Sequence, residues 1–416
     1  MKYTRLFQNH TEYEAYTADT TNFILPNVSY CVQEDEAHCT PVPRDYSKEY
    51  FTIESLEDGN TISIQNVDCD VLPTFYYSLD NGETWGNVTM TKDGTQNIAT
   101  IDRGDKILFK STNANLATKT NQYNKFNGSN DFNVYGNAMS LLFGDDYEDN
   151  SVFASNSSNN LVGLFFDATT LIDASNMILP ATTLAQSCYQ AMFEGCTSLT
   201  NVPDLPATTL ANSCYYRLFK NCGNLKSVPS DYLPATVLTN NCYQEMFYGC
   251  SSLLEIPLLP ATILGNWCYA DMFEYCTSLA IIPDNMLPAT TLKYQCYRYM
   301  FRYCTSLNKV PFNLLPATTL ETYCYQMMFY GCTSLTTAPE LPATTLASAC
   351  YQYMFWSCSK LNNVKCLATD ISATSCTTAW LHRVSASGTF TKAASMNDWT
   401  SGSDGIPTNW TVVDAT

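Results

Sequence analysis

Leu341-Pro342-Ala343-Thr344-Thr345-Leu346-Ala347-Ser348-Ala349-Cys350-Tyr351-Gln352-Tyr353-Met354-Phe355-Trp356-Ser357-Cys358-Ser359-Lys360-Leu361-Asn362-Asn363-Val364 is one copy of a unit that fills the second half of the chain. Its opening phrase, Leu-Pro-Ala-Thr-x-Leu, begins at Leu179, Leu205, Leu233, Leu259, Leu287, Leu315 and Leu341, in steps of 26 or 28 residues. A fixed period of that size with Leu at set offsets marks leucine-rich repeats. One such unit cannot bury its own apolar face, so copies stack into a continuous core. The length difference falls in one spot, Pro203-Asp204-Leu205 against Pro229-Ser230-Asp231-Tyr232-Leu233, which places it in a loop. Within the quoted unit Leu346, Cys350, Tyr351, Met354, Phe355 and Cys358 stand at i, i+4, i+5, i+8, i+9 and i+12. That spacing predicts a helix of about three turns with one apolar face. Thr344 or Thr345 would cap its N-terminus, and Pro342 would stop it extending backwards. Leu361-Asn362-Asn363-Val364 reads as a short strand.

Both ends of the array are degenerate. Leu164-Phe165 with Ala168-Thr169-Thr170-Leu171 is a first unit with Ala in place of Cys. At the other end Cys366-Leu367-Ala368-Thr369-Asp370 replaces the phrase, Cys376 follows, and Trp380, Phe390, Trp399 and Trp410 supply apolar cover. Such units close an otherwise open core. Upstream, residues 46–150 read as β structure. Phe51–Leu56 and Thr61–Ile64 alternate around a turn at Glu57–Asn60, Asp80-Asn81-Gly82-Glu83 marks a hairpin after Phe75–Leu79, and Ile107–Phe109 adds a strand. The predicted fold is an α/β leucine-rich-repeat solenoid over 151–380, with short parallel strands plus helices, preceded by a small all-β sandwich over 46–150. Residues 1–45 are read as an N-terminal anchoring segment and 381–416 as a C-terminal cap.

The chain has 416 residues, 45% of them apolar, a net charge of −18 and a pI near 4.4. That balance argues against nucleic acid and anionic membrane surfaces as partners. No run approaches 18 apolar residues, and no apolar stretch follows Met1, so the chain is expected to fold in a cytoplasm. Nineteen cysteines with no export signal read as reduced, buried thiols rather than disulfides. Seven pairs, from Cys188/Cys196 to Cys350/Cys358, share one spacing. On helices they would be too far apart to bridge, and they read as small core residues. A pair between Cys31 and Cys39 stays open.

The units resemble the BspA-like leucine-rich-repeat family, whose unit ends in an aromatic-x-x-Cys-x-x-Leu frame. The phrase Leu-Pro-Ala-Thr-Thr-Leu with Cys-Tyr-x-x-Met-Phe is similar to proteins of gut Bacteroidales and their tailed phages, including crAss-like phages. The tail Gly388-Thr389-Phe390, Trp399, Gly405-Ile406-Pro407 and Trp410-Thr411-Val412 shares that similarity, as does the opening Met1–Thr4 with Leu25–Cys31. The resemblance implies a virion appendage, a head or tail fibre, displayed for host attachment, or a bacterial cell-surface adhesin. Other virion proteins, bound through the N-terminal region, and a host surface glycan or protein would be its partners, and a homo-oligomer is expected.

No catalytic signature is present among His10, His38, His382 and the acids, so no enzyme activity, cofactor or metal is expected; a structural decoration protein or a glycan depolymerase stands as an alternative. Asp145–Asp149 reads as a solvated hinge or a calcium site. The positions that the repeat leaves free carry the interest. Tyr216, Tyr248, Tyr275, Arg298, Tyr299, Arg302, Tyr303, Tyr330, Tyr353 and Trp356 are predicted to face solvent, where large rings are costly unless used. They form either a ligand-binding ridge or rings that pack on one another or on a neighbouring subunit. Asn201, Lys226, Glu255, Asn308, Lys309, Thr337 and Asn363 mark a second surface on the strand side.

Overall fold

The computed structural model describes residues 3–7, 28–32, 44–119, 121–153, 157–397, 399–402 and 404–416. The chain divides into Met1–Glu49 and Tyr50–Thr416. In the first unit β1 (Tyr3–Phe7) pairs in parallel with β2 (Val28–Val32). Arg44 lies over the Tyr46 ring and pairs with Glu49. The remaining residues of the proposed anchoring segment, with His10, His38 and Cys39, lie outside the described residues.

The second unit opens with two facing sheets. One holds β4 (Asn60–Val67), β7 (Thr95–Ile101), β9 (Ala117–Lys119) and β10 (Gln122–Gly128), in the order β7-β4-β10-β9. The other holds β3 (Phe51–Ser55), β5 (Thr74–Ser78), β6 (Gly86–Thr89), β8 (Lys106–Lys110), β11 (Phe132–Asn137) and β12 (Leu171–Ile178), in the order β12-β11-β3-β8-β5-β6. Strict alternation along β4 turns Ile62 and Ile64 inward. Phe126 fills the gap, with its ring 4.9 Å from Phe109, 5.4 Å from Phe51 and 5.5 Å from Phe75. The predicted hairpin forms between β5 and β6, with Asn81 and Gly82 both at positive φ. The turn after β3 is no hairpin, because β3 and β4 belong to opposite sheets.

Strand β12 comes from the first repeat yet pairs in parallel with β11 of the sandwich. The repeat stack is therefore a continuation of the six-stranded sheet. The acidic segment at 145–149 is solvated at Asp145, Asp146, Glu148 and Asp149 and anchored at its start. It follows the short helix α1 (Ser140–Phe143), and Asp145 accepts hydrogen bonds from Tyr50 Oη and Lys110 Nζ, each at 2.6 Å. Among the described residues no group of carboxylates, His or Cys could hold a metal ion.

The predicted helices of the repeats do not form, and the α/β solenoid expected from the sequence is corrected to a β-rich one. Among the described residues α1 is the single α-helix. Each segment from the first Cys of a unit to the second is a ribbon of consecutive turns. Alternate N–H groups bond three residues back, as Gln190 to Ser187 O, Met192 to Tyr189 O and Glu194 to Ala191 O. The others leave the coil: Tyr189 donates to Cys214 O at 3.0 Å, Ala191 to Tyr216 O at 2.8 Å and Phe193 to Leu218 O at 3.0 Å. Every fourth residue sits in the left-handed region, as Ser187, Ala191 and Gly195, or Trp267, Asp271 and Tyr275. No right-handed helix survives such a sequence of dihedrals. Isolated bridges such as Thr183–Thr209 and Ile281–Lys309 join the outer segments of adjacent coils in parallel.

The same three left-handed positions occur in the degenerate ends, at Asn159, Gly163 and Asp167 and at Ser375, Ala379 and Arg383. The ribbon thus has two more coils than the intact phrase marks. Beyond it β13 (Asn363–Cys366), β14 (Thr389–Lys392) and β15 (Thr411–Asp414) form a parallel sheet, and Trp399 stacks on Trp380 at 5.5 Å.

Two buried ladders of rings hold the coils in register. Phe165, Phe193, Phe219, Phe247, Phe273, Phe301, Phe329 and Phe355 stack with centroids 5.3–5.7 Å apart. Tyr189, Tyr215, Tyr243, Tyr269, Tyr297, Tyr325, Tyr351 and Trp380 stack beside them at 5.8–6.1 Å. Aromatic pairs add about 0.5–1.5 kcal/mol beyond the area they bury. The cysteines fill the space between. The second Cys of each pair donates its S–H to the Phe carbonyl of the preceding coil, as Cys276 to Phe247 and Cys304 to Phe273, both at 3.2 Å. Burial pushes these thiols up, to about 12 for Cys250 and Cys296, so thiolate chemistry is suppressed at neutral pH. The sequence argument that packed helices keep the cysteines apart loses its basis, since neighbouring coils are one turn-ribbon step apart. The described cysteines from Cys69 onward are nonetheless unbridged.

Candidate binding face

The residues between the ring ladders face outward along the ribbon, and every coil repeats them in columns. The ten candidate positions all fall on this face, but they are not free-standing. Tyr275 is 37% exposed and the other nine are half-buried. The rings lean on one another across coils. Tyr248 lies edge-on to Tyr275 at 5.6 Å, Tyr275 stacks on Tyr303 at 4.9 Å, and Tyr303 meets Tyr330 edge-on at 5.3 Å. Tyr330 then stacks on Trp356 at 6.1 Å, with Tyr353 edge-on to Trp356 at 5.3 Å. The row ends on His382, 4.3 Å from Trp356. Gly331 makes room for it, since a Cβ there would stand 2.6 Å from the Tyr303 ring.

A second group joins Arg298, Tyr299 and Arg302. Arg298 lies over the rings of Tyr299 at 4.1 Å and Trp267 at 5.3 Å, and Arg302 over Tyr299 at 4.6 Å. Such contacts contribute about 0.5–2 kcal/mol each, more where water is excluded. Tyr216 stands apart from the row. Its hydroxyl donates to Glu245 at 3.0 Å, and Glu245 also takes Arg217 and Lys220. Tyr248 lies under Lys220, 4.5 Å from its centroid.

Glu274 and Glu245 are buried on this face, and Asp271 is half-buried beside Glu274. Glu274 is 1% exposed and pairs with Arg302, whose Nε donates at 2.6 Å. Burial, with Asp271 beside it, pushes the Glu274 carboxyl up, and burial raises Asp271 as well. A carboxyl raised on folding stabilises fully below the ordinary glutamate range, and loses that contribution as pH rises through the raised value. The melting temperature is therefore expected to fall from pH 5 to pH 8.5. The fall should be smaller in Glu274→Gln, measured by thermal denaturation across that range. Equal slopes in the two proteins would contradict the assignment.

Sequence reasoning missed Trp267, His382 and Arg383. His382 was within reach, because it stands one 26-residue step after Trp356. The strand-side surface is separate from the row. Asn201, Lys226, Glu255, Asn308, Lys309, Thr337 and Asn363 are all exposed there, beside the exposed apolar groups Leu254, Ile281 and Phe312.

Stacked identical coils, a parallel bridge ladder and a ring core define a leucine-rich-repeat solenoid. The profile of the BspA type leucine rich repeat region, six copies long, matches residues 171–287 and 271–395, more than half of the chain. The chain belongs to that family, which supports a surface-binding, adhesin-like repeat protein. No curated protein and no solved structure matches it.

Proposed function

We propose that this chain is a non-enzymatic surface-binding protein and that the ribbon face is its binding surface. The observation that carries this is the unbroken row Tyr248, Tyr275, Tyr303, Tyr330, Trp356 and His382, which presents ring edges and faces to solvent over six coils. Packing among the rings fixes their orientation before a ligand arrives, which lowers the entropic cost of binding. A rigid array also allows many weak contacts to act together. The finer proposal is display on a phage particle as a head or tail fibre, with the N-terminal segment held by other virion proteins and the solenoid turned to a host cell. The similarity of the opening to virion proteins, and of the tail to proteins of gut Bacteroidales and their tailed phages, supports that placement.

The test is adsorption of the purified full chain to Bacteroidales cells. Replacing Tyr330 and Trp356 together by Ala should cut adsorption at least about tenfold, the effect of losing about 1.4 kcal/mol. Near-native melting would exclude misfolding, since neither ring belongs to the buried ladders. Unchanged adsorption in the folded variant would sink the proposal.

A further inference from the structure

The ribbon face changes character along the stack. In its first half it carries Glu194, Glu245, Asp271 and Glu274. From Cys296 to Arg383 no ribbon position holds a carboxylate, although the chain has 39 Asp and Glu. Those coils offer Arg298, Arg302, Gln326, Gln352, His382 and Arg383 instead. Arg302 is held by Glu274, its Nε donating to the carboxyl at 2.6 Å. Arg298 is held by Gln295 and by the Tyr299 hydroxyl. Arg383 is exposed and has no ion-pair partner among the described residues.

Arg383 also lines a concavity where the last coil meets the C-terminal cap, together with Leu381, His382, Gly402, Pro407 and Thr408. His382 belongs to both features, since it lines the concavity and closes the ring row on Trp356. Asp404, on the same cap, has one carboxylate oxygen occupied by the Ala379 N–H at 2.7 Å. A track of ring faces therefore runs into a pocket whose charged side chain is an unpaired guanidinium.

We infer that Tyr330, Trp356, His382 and Arg383 form a subsite for an acidic glycan, a polysaccharide carrying uronate-type carboxylates. This rests on the ribbon face being the binding surface and names its ligand class. Pyranose rings present apolar C–H faces that stack on aromatic rings. A sugar carboxylate offers two oxygens to the guanidinium fork of Arg383. Gln326 is buried and donates its amide to Gln352, which leaves the half-buried Gln352 to offer its own amide N–H groups to hydroxyls. Nucleic acid fits poorly, because its dense charge needs many cations and the chain as a whole is at −18.

The probes are polygalacturonate and its methyl ester, which share a backbone and differ in charge. Both would be titrated into the full chain by calorimetry, with cell adsorption measured in parallel. Polygalacturonate should bind at least about tenfold more tightly than the ester. Arg383→Gln should remove most of that difference, Arg383→Lys should keep part of it, and Trp356→Ala should weaken both polymers. Gln is compatible with the left-handed backbone there, since Gln295 occupies the same kind of position at φ 55°. Equal binding of the two polymers, no binding of either, or no effect of Arg383→Gln would overturn the acidic-glycan site. Adsorption that disappears when the cells are treated with protease would overturn it in favour of a protein receptor. If polymer binding fails while adsorption still depends on Trp356, the ribbon face stands and only its ligand class is wrong. If adsorption is also indifferent to Trp356, the binding face itself is wrong.

Discussion

Phe273→Ala should lower the stability of the repeat array by about 3–5 kcal/mol, the cost of emptying a buried aromatic site. Phe273 is fully buried and stacks on Phe247 at 5.6 Å and on Phe301 at 5.7 Å. Its loss breaks the Phe ladder in the middle coil, where neither flank can compensate. Each coil contacts only its neighbours, so the array should unfold in two stages around the break rather than as one unit. Chemical denaturation followed by tyrosine and tryptophan fluorescence would show this. A single transition with an unchanged midpoint would contradict the ladder as the source of cohesion.

Gly249→Val should destabilise by about 2–3 kcal/mol, because a β-branched residue is forced into the left-handed region. Gly249 has φ 72°, and a Cβ there would approach Asn221 Oδ1 to 2.3 Å. The sign matters more than the size. In a helix, replacing Gly by Val is neutral to slightly favourable. A stabilised Gly249→Val protein, measured by its denaturation midpoint, would restore the helical reading of the repeats. No Val, Ile, Thr or Pro occupies a left-handed ribbon position in any coil, which fits the cost assigned to this change.

The helix error shows where pattern reading stops. Apolar residues at i, i+4, i+5, i+8 and i+9 satisfy a period of four as well as one of 3.6. Over eight residues the two differ by about 80°, which fits inside the roughly 100° apolar stripe of an ordinary helix. The discriminating signal lay in another column. The residue before the second Cys is Gly195, Asn221, Gly249, Gly331 or Ser357 in five coils, all poor in helices and all left-handed here. Hydrogen bonds to the next coil then outweigh local propensity, and no single unit displays them. The repeat register, the degenerate end coils, the C-terminal cover and the hairpin at Asn81-Gly82 were legible, because each depends on local spacing. The placement of β3 and β4 in opposite sheets was not, because it depends on partners elsewhere in the chain.

For the candidate face, the period identified which positions were free but not how deep they lay. Glu274 occupies a free position and is nevertheless buried, because Arg302 from the next coil covers it. The two readings of the aromatic positions, binding ridge or mutual packing, are not exclusive in the structure. The rings pack on one another along the stack and still present their outer edges.

The most direct test of the ribbon face is hydroxyl-radical footprinting of the chain with and without Bacteroidales cell-envelope fragments. Tyr303, Tyr330, Tyr353 and Trp356 should become protected, while Phe312 and Leu254 on the strand side keep their labelling. Protection of Phe312 and Leu254 with the ribbon rings still labelled would contradict the assignment and move the binding surface to the opposite side of the solenoid.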